Sequence, residues 1–268
     1  MKSETNSGIG ELEFQALAFC QAREQRTLAS GELVLALRWT AEQERKVVSR
    51  LSGKGLIVRI RRGLYLVPLR LPPGGRWSPG EFLALTTLMA DRGGQYQISG
   101  PNTFYRYGWT EQVPNRVYAY NNRISGDRKI GSAAFTLIKV ADDRLGGTEV
   151  LRVPEGLDIV YASRARSLVD AVYDWSRFDS LPHAYEWITK EVATDGFAAE
   201  LVGTAIKFGN QSALRRIGAA LERASVAENL LRRLERRLTP ASAYTPWNPK
   251  REGHGTKNKR WEIVFNDE

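Results

Sequence analysis

From Thr40 to Pro68 the chain reads TAEQERKVVSRLSGKGLIVRIRRGLYLVP, and its apolar residues change spacing along the way. Val47, Val48 and Leu51 fall at i, i+1 and i+4, the spacing of one helical face. Glu42, Arg45, Lys46 and Ser49 take the other face, with Arg50 at its edge. Thr40 suits an N-cap, because its hydroxyl accepts from first-turn N–H groups, and Gln43 stands where it can reach back as in a capping box. Gly53 and Gly55 end the helix, since glycine enters the left-handed cap conformation at little cost. LIVRI and LYLVP then read as strands rich in β-branched and aromatic residues. Arg61-Arg62-Gly63 lies between them as a hairpin tip.

Upstream, Glu11 to Glu24 carries Leu12, Ala16, Leu17, Phe19 and Cys20 at helical spacing. Ser30 is a candidate N-cap for GELVLALRW, whose Leu33, Val34 and Leu37 make a short apolar face. Trp39, in the turn that follows, is expected to pack. Helix, turn, helix, then a two-stranded hairpin is the order of a winged helix-turn-helix. RLPPGGRWSP, from Arg70 to Pro79, is the clearest linker in the chain. Ser78 and Pro79 read as the cap and first position of a helix through EFLALTTLMA. QYQIS, VYAYN, AAFTLIKV and GLDIVY are strand-like. A basic hairpin with Arg123, Arg128 and Lys129 is expected between the second and third. Ser99, Ser163 and Asp195 are candidate caps, and helical periodicity dominates from Leu181 to Leu238. WEIVF near the end is strand-like. The expected fold class is α+β: an N-terminal winged helix-turn-helix domain over residues 1–72, then a larger mixed α/β domain over 78–268 that ends in a helical region.

Charge sharpens this picture. Between residues 38 and 62, Arg38, Arg45, Lys46, Arg50, Lys54, Arg59, Arg61 and Arg62 face only Glu42 and Glu44. The whole chain of 268 residues carries +9, with a pI near 9.7, which points to an anionic partner, either nucleic acid or an acidic protein surface. Duplex DNA carries dense negative charge, and a helix fits its major groove. Gln43, Arg45, Lys46, Ser49 and Arg50 are the expected helix contacts to bases or phosphates. Arg59, Arg61 and Arg62 are expected to hold the backbone or minor groove from the hairpin. Gln43 is the first choice for base readout, since a carboxamide can pair with adenine through both its atoms.

Catalytic and cofactor chemistry is sparse. His183 and His254 are far apart, Cys20 is the only cysteine, and GxxxxGK[ST], GxGxxG, HExxH and GxSxG are absent. Cys20 falls on an apolar face and reads as a small buried hydrophobe. Glu44-Arg45-Lys46 lies on a helix rather than a strand, which is weak support for a nuclease. Asp170, in the apolar run RSLVDAV, needs a partner such as Arg164 or Arg166. No catalytic residue, metal or cofactor is expected. MKSETNSGIGELEF lacks an apolar leader core, and no apolar run reaches the length of a membrane span. A cytoplasmic protein without membrane contact is expected.

RRGLYLVP resembles the hallmark of the AbiEi-like antitoxins of type IV toxin–antitoxin (abortive infection) systems. QISGPNTFYRYGWTEQVPNRVYAYNNR, YASRARSLVDAVYD, ALRRIGAALERA and NKRWEIVFN resemble the same family in the same order, from about residue 10 to the end. The resemblance implies a winged-helix N-terminal domain and an α/β antitoxin domain. It implies repression of the protein's own operon through inverted repeats in double-stranded DNA. It also implies action against a cognate nucleotidyltransferase toxin. Two other readings stay open on residues alone. One is a nucleic-acid-acting enzyme or RNA-binding module using the basic residues at 232–237 and 250–260. The other is a plain transcription factor whose C-terminal domain senses a ligand or dimerises.

Overall fold

The structure is a computed structural model that describes residues 8–73, 75–154 and 156–267. It is a mixed α+β chain that divides into two compact units. One comprises residues 1–93 with 127–135, the other residues 94–126 with 136–268.

In the first unit α1 (Glu11–Ala22), β1 (Thr27–Ala29), α2 (Glu32–Leu37) and α3 (Ala41–Gly53) precede β2 (Val58–Arg61) and β3 (Leu64–Leu66). The α3 start is as the sequence suggests: Thr40 Oγ1 accepts from the Gln43 N–H, and Gln43 Oε1 accepts from the Thr40 N–H at 2.8 Å. The hairpin turn is tighter than expected. Arg61 is the last residue of β2, and Gly63, with φ of 79°, makes the turn. The strand Thr27–Ala29 was not expected. It pairs antiparallel with β3, giving a three-stranded sheet in the order β1-β3-β2. Ser30 therefore does not cap α2; Gly31, left-handed at φ 95°, occupies that position. Leu17, Cys20, Leu28, Leu33, Val47, Leu51 and Ile57 fill the core under the helices, and Trp39 packs there as expected.

The expected division at the Pro/Gly linker falls inside this unit. Helix α4 (Glu81–Asp91) belongs with it because Arg61 forms a two-pronged ion pair with Asp91, at 2.7 and 2.6 Å. Gly80, not Ser78, is the α4 N-cap. The Ser78 hydroxyl instead accepts from the Ser132 N–H at 2.9 Å and meets the Ser132 hydroxyl at 2.8 Å.

The second unit contains β4 (Tyr96–Ile98), α5 (Pro101–Arg106) and β5 (Val117–Asn121). In the basic stretch that follows, Arg128 and Lys129 lie in strand β6 (Gly126–Ile130), which pairs with β7 (Ala133–Lys139), while Arg123 precedes it. The turn between them lies in the segment counted with the first unit. With β8 (Thr148–Arg152) and β9 (Asp158–Ala162) the sheet order is β6-β7-β5-β4-β9-β8. Helices α6 (Arg164–Tyr173), α7 (Trp175–Phe178), α8 (His183–Glu191), α9 (Phe197–Phe208), α10 (Gln211–Arg223) and α11 (Glu228–Glu235) follow. A small sheet of β10 (Thr245–Pro246), β11 (Thr256–Asn258) and β12 (Ile263–Phe265) closes the chain. Ser163 caps α6 as expected. Ser99 and Asp195 do not cap: glycines 100 and 196 start those helices.

Ser99 is used elsewhere. Its hydroxyl donates to Asp170 Oδ2 at 2.9 Å, while Arg166 Nε and an Arg144 amino group donate to Oδ1 at 2.9 and 3.1 Å. Arg166 and Asp170 are both fully buried. Arg166 also donates to the carbonyls of Gly146 and Arg144, so the pair leaves few polar atoms unsatisfied. Of the two expected partners for Asp170, Arg166 fills the role. Arg164 pairs with Glu191 instead, at 2.7 Å.

Candidate nucleic-acid interface

All eight side chains expected to contact DNA are on exposed residues, but they do not form one cluster. A helix advances about 100° per residue. Arg45, Ser49 and Ser52 therefore share one edge of α3, whereas Gln43 and Arg50 lie roughly 150° round the axis from Arg45. The first edge borders a groove of about 900 Å³. Arg45 and Ser49 line it from α3, Arg59 and Tyr65 from the hairpin, and Ser30 and Leu35 from the α2 side. Three of the eight expected contacts thus meet in one concavity. No ion pair is formed by Arg45 or Arg59 among the described residues.

The others are differently placed. Lys46 pairs with Glu42 at 2.8 Å, both well exposed; such a pair contributes at most about 1 kcal/mol and yields readily to a phosphate. Arg62 sits at the hairpin turn beside Gly63, its side chain unpaired among the described residues. Arg50 faces α1. Burial pushes the Glu13 carboxyl up, but hydrogen bonds from Lys54 and the Gly10 N–H, with the charges of Lys54 and Arg50, hold it below its ordinary value.

Two expectations need correction. The Gln43 carboxamide is folded back into the capping box. Pairing with adenine needs both its oxygen and its amide nitrogen, so base readout would cost the cap. Arg61 is occupied as well. Its Nε and one amino group hold Asp91, and the other amino group donates to the Arg62 carbonyl at 2.8 Å. This fork is structural, and it holds the Asp91 carboxyl below the usual range.

From the sequence Glu44 is one of two acids among the cations of residues 38–62; the structure gives it a buried, structural place. It is 7% exposed. Its carboxylate accepts from the Gly31 N–H at 2.8 and 3.0 Å and from the Leu33 N–H at 3.0 Å. These are first-turn donors of α2 that no residue of α2 can satisfy. Glu44 therefore fixes α2 against α3 and shapes the groove between them. The signal was present: Glu44 precedes Val47, Val48 and Leu51 at i−3, i−4 and i−7, a charged position in an apolar stripe.

The basic residues near the C-terminus are engaged only in part: Arg233, Arg236, Arg237 and Lys259 are exposed and form no ion pair among the described residues. Arg260 donates to Glu222, Glu228 and Glu235 at 2.8 to 3.1 Å. Arg232 pairs with Glu228, and Lys250 with Asp179. Arg251 donates to the Asp267 carbonyl at 3.1 Å. Among the described residues no group of His, Cys, Asp and Glu is arranged to hold a metal ion, and no helix is long and apolar enough to cross a membrane.

Comparison with known proteins adds a fold relationship. No family model matches the chain, and no curated protein matches it. Among solved structures the fold is similar to that of the RV2827C protein from Mycobacterium tuberculosis. The TM-score is 0.60 at 13% identity, over 96% of this chain and 92% of that one. At that identity the likeness concerns the fold alone.

Proposed function

We propose that the chain is a double-stranded-DNA-binding repressor of its own operon, with a winged helix-turn-helix in the first unit and α3 as the helix that enters the major groove. The observation carrying this reading is the groove shared by Arg45, Ser49 and Arg59, two of whose cations have no carboxylate partner among the described residues. Helix α2 before α3, and the β2–β3 hairpin after it, agree with that motif in order. Arg45 and Ser49 face bases or phosphates from the helix. Lys46, Arg59 and Arg62 supply phosphate contacts, which position the protein rather than specify sequence. Such a repressor works in the cytoplasm and requires no cofactor, metal or catalytic residue.

The second half of the proposal, that the second unit counters a cognate nucleotidyltransferase toxin, rests on the sequence resemblance alone. For the alternative of an RNA-binding or enzymatic C-terminal surface, Arg260 is held by Glu222, Glu228 and Glu235, while the exposed pairs of Arg232 and Lys250 would yield to a phosphate as that of Lys46 does.

Two experiments test these halves separately. In a competition assay, a duplex from upstream of the coding sequence should displace a scrambled duplex of equal length from the full chain; equal competition would refute sequence-specific repression. Co-expression with a neighbouring nucleotidyltransferase should rescue growth, and failure with a toxin of proven activity would remove the antitoxin role.

A further inference from the structure

A second concavity borders the first. It measures about 640 Å³ and is lined by the end of α3, β2, residues 76–78 and the β6–β7 turn. Ser52 and Arg59 line both concavities, so the two are contiguous around the C-terminal end of α3. The second adds Lys54 and Arg76 to the cationic lining and Ser78 and Ser132 to the hydroxyls.

Its walls are held in place. The Trp77 N–H donates to the Gly55 carbonyl at 2.8 Å, and the Arg76 stem lies beside Gly55, whose φ of 71° is left-handed and suits glycine. The turn is fixed by the two Ser78–Ser132 contacts. At Gly131, φ is 61°, and a Cβ would stand 2.5 Å from the Ser78 hydroxyl. Arg76 is exposed and has no ion pair among the described residues. Lys54 is partly committed, since it pairs with Glu13. Lys129, also exposed and without an ion pair among the described residues, lies two residues before Gly131. Free cations beside a serine pair that keeps one O–H to donate, in a water-accessible cleft that continues the first groove, match a phosphodiester rather than a base edge or an apolar side chain.

We propose that this cleft, between the α3 end, Arg76 and the β6–β7 turn, binds a backbone phosphate of the duplex whose major groove α3 enters. The inference rests on the DNA-binding reading and extends the contacted backbone beyond the wing. The β6–β7 turn then acts as a second, sequence-independent arm.

The test uses the full chain and a duplex from its own promoter, extended by one helical turn on each side, with affinity followed by fluorescence anisotropy across a salt series. Arg76→Ala combined with Lys129→Ala should reduce the magnitude of the salt slope by about one to two. The loss of affinity between about 50 and about 200 mM salt should shrink about threefold per lost contact. Preference for the promoter duplex over a scrambled one should not change, and Arg76→Lys should restore most of the slope. A double variant with unchanged slope, while the parent chain binds normally, overturns the second site and leaves the DNA reading standing. A change in promoter preference also overturns it, because a phosphate contact carries no sequence information. If the parent chain binds no duplex at all, both readings fall.

Discussion

Glu44 provides the sharpest stability prediction. Substituting Glu44→Ala removes the acceptor of two amide donors, Gly31 and Leu33, at 2.8 to 3.0 Å. A hydrogen bond to a charged group contributes about 1.5–3 kcal/mol, and a buried donor left unpaired costs about 1–3 kcal/mol. The Leu33 contact is buried and takes the full loss, while the part-buried Gly31 amide can recover some of it by hydration. The expected destabilisation is therefore about 2–4 kcal/mol, a large share of a domain's usual margin of about 5–15 kcal/mol. Glu44→Gln keeps one oxygen and turns an amino group toward one donor, so about 1–2 kcal/mol is expected. Urea unfolding followed by far-ultraviolet circular dichroism measures the loss, with the two units allowed separate transitions. Hydrogen exchange localises it, since the Gly31 and Leu33 amides should lose protection ahead of the rest of the first unit. A Glu44→Ala protein within about 0.5 kcal/mol of the parent, with those amides still protected, would refute this role.

Three further outcomes follow from particular contacts. The Asp91 carboxyl is held below its ordinary value mainly by the hydrogen bonds from Arg61, so its contribution is present above the unfolded carboxylate pKa and is lost as pH falls through the lower folded one. Urea unfolding of the first unit should therefore lose stability below about pH 4, with a shallower decline for Asp91→Asn. Gly218→Ala would place a Cβ 2.2 Å from the fully buried Trp261 ring; the second unit should lose about 1–3 kcal/mol or more in thermal melts, and a neutral result would contradict that packing. Burial pushes the Cys20 thiol up to about 11, so iodoacetamide at neutral pH should label it only in denaturant.

How much of this was legible in the chain depends on the kind of signal. α3, its Thr40 cap and the hairpin could be read because each rests on contacts within a few residues. The Thr27–Ala29 strand could not. Three residues carry no periodicity, and the segment is a strand only because Leu64–Leu66 lies beside it. That the compact units do not divide at the linker has a similar reason: Arg61–Asp91 and Ser78–Ser132 join residues 30 and 54 positions apart. Serine caps misled three times: Ser78 and Ser99 each found a distant partner, and Gly31 rather than Ser30 starts α2. At the candidate interface, exposure was predicted well but availability was not. Arg61 and Gln43 are on exposed residues yet committed, the first to a carboxylate, the second to a helix end. Composition can count cations without showing which ones an internal partner already holds.

The most direct test of the DNA-binding account is the salt dependence of duplex affinity for the intact chain, from about 50 to about 300 mM monovalent salt. Arg45, Lys46, Arg59 and Arg62 are each free to take a phosphate or held only by an exposed pair. On a duplex too short to reach the Arg76 cleft, these four contacts at about 0.9 each should give log affinity against log salt a slope of about −3 to −4, and Arg45→Ala with Arg59→Ala should bring it to about −2. A slope near zero, or one that the double substitution leaves unchanged, would contradict the account.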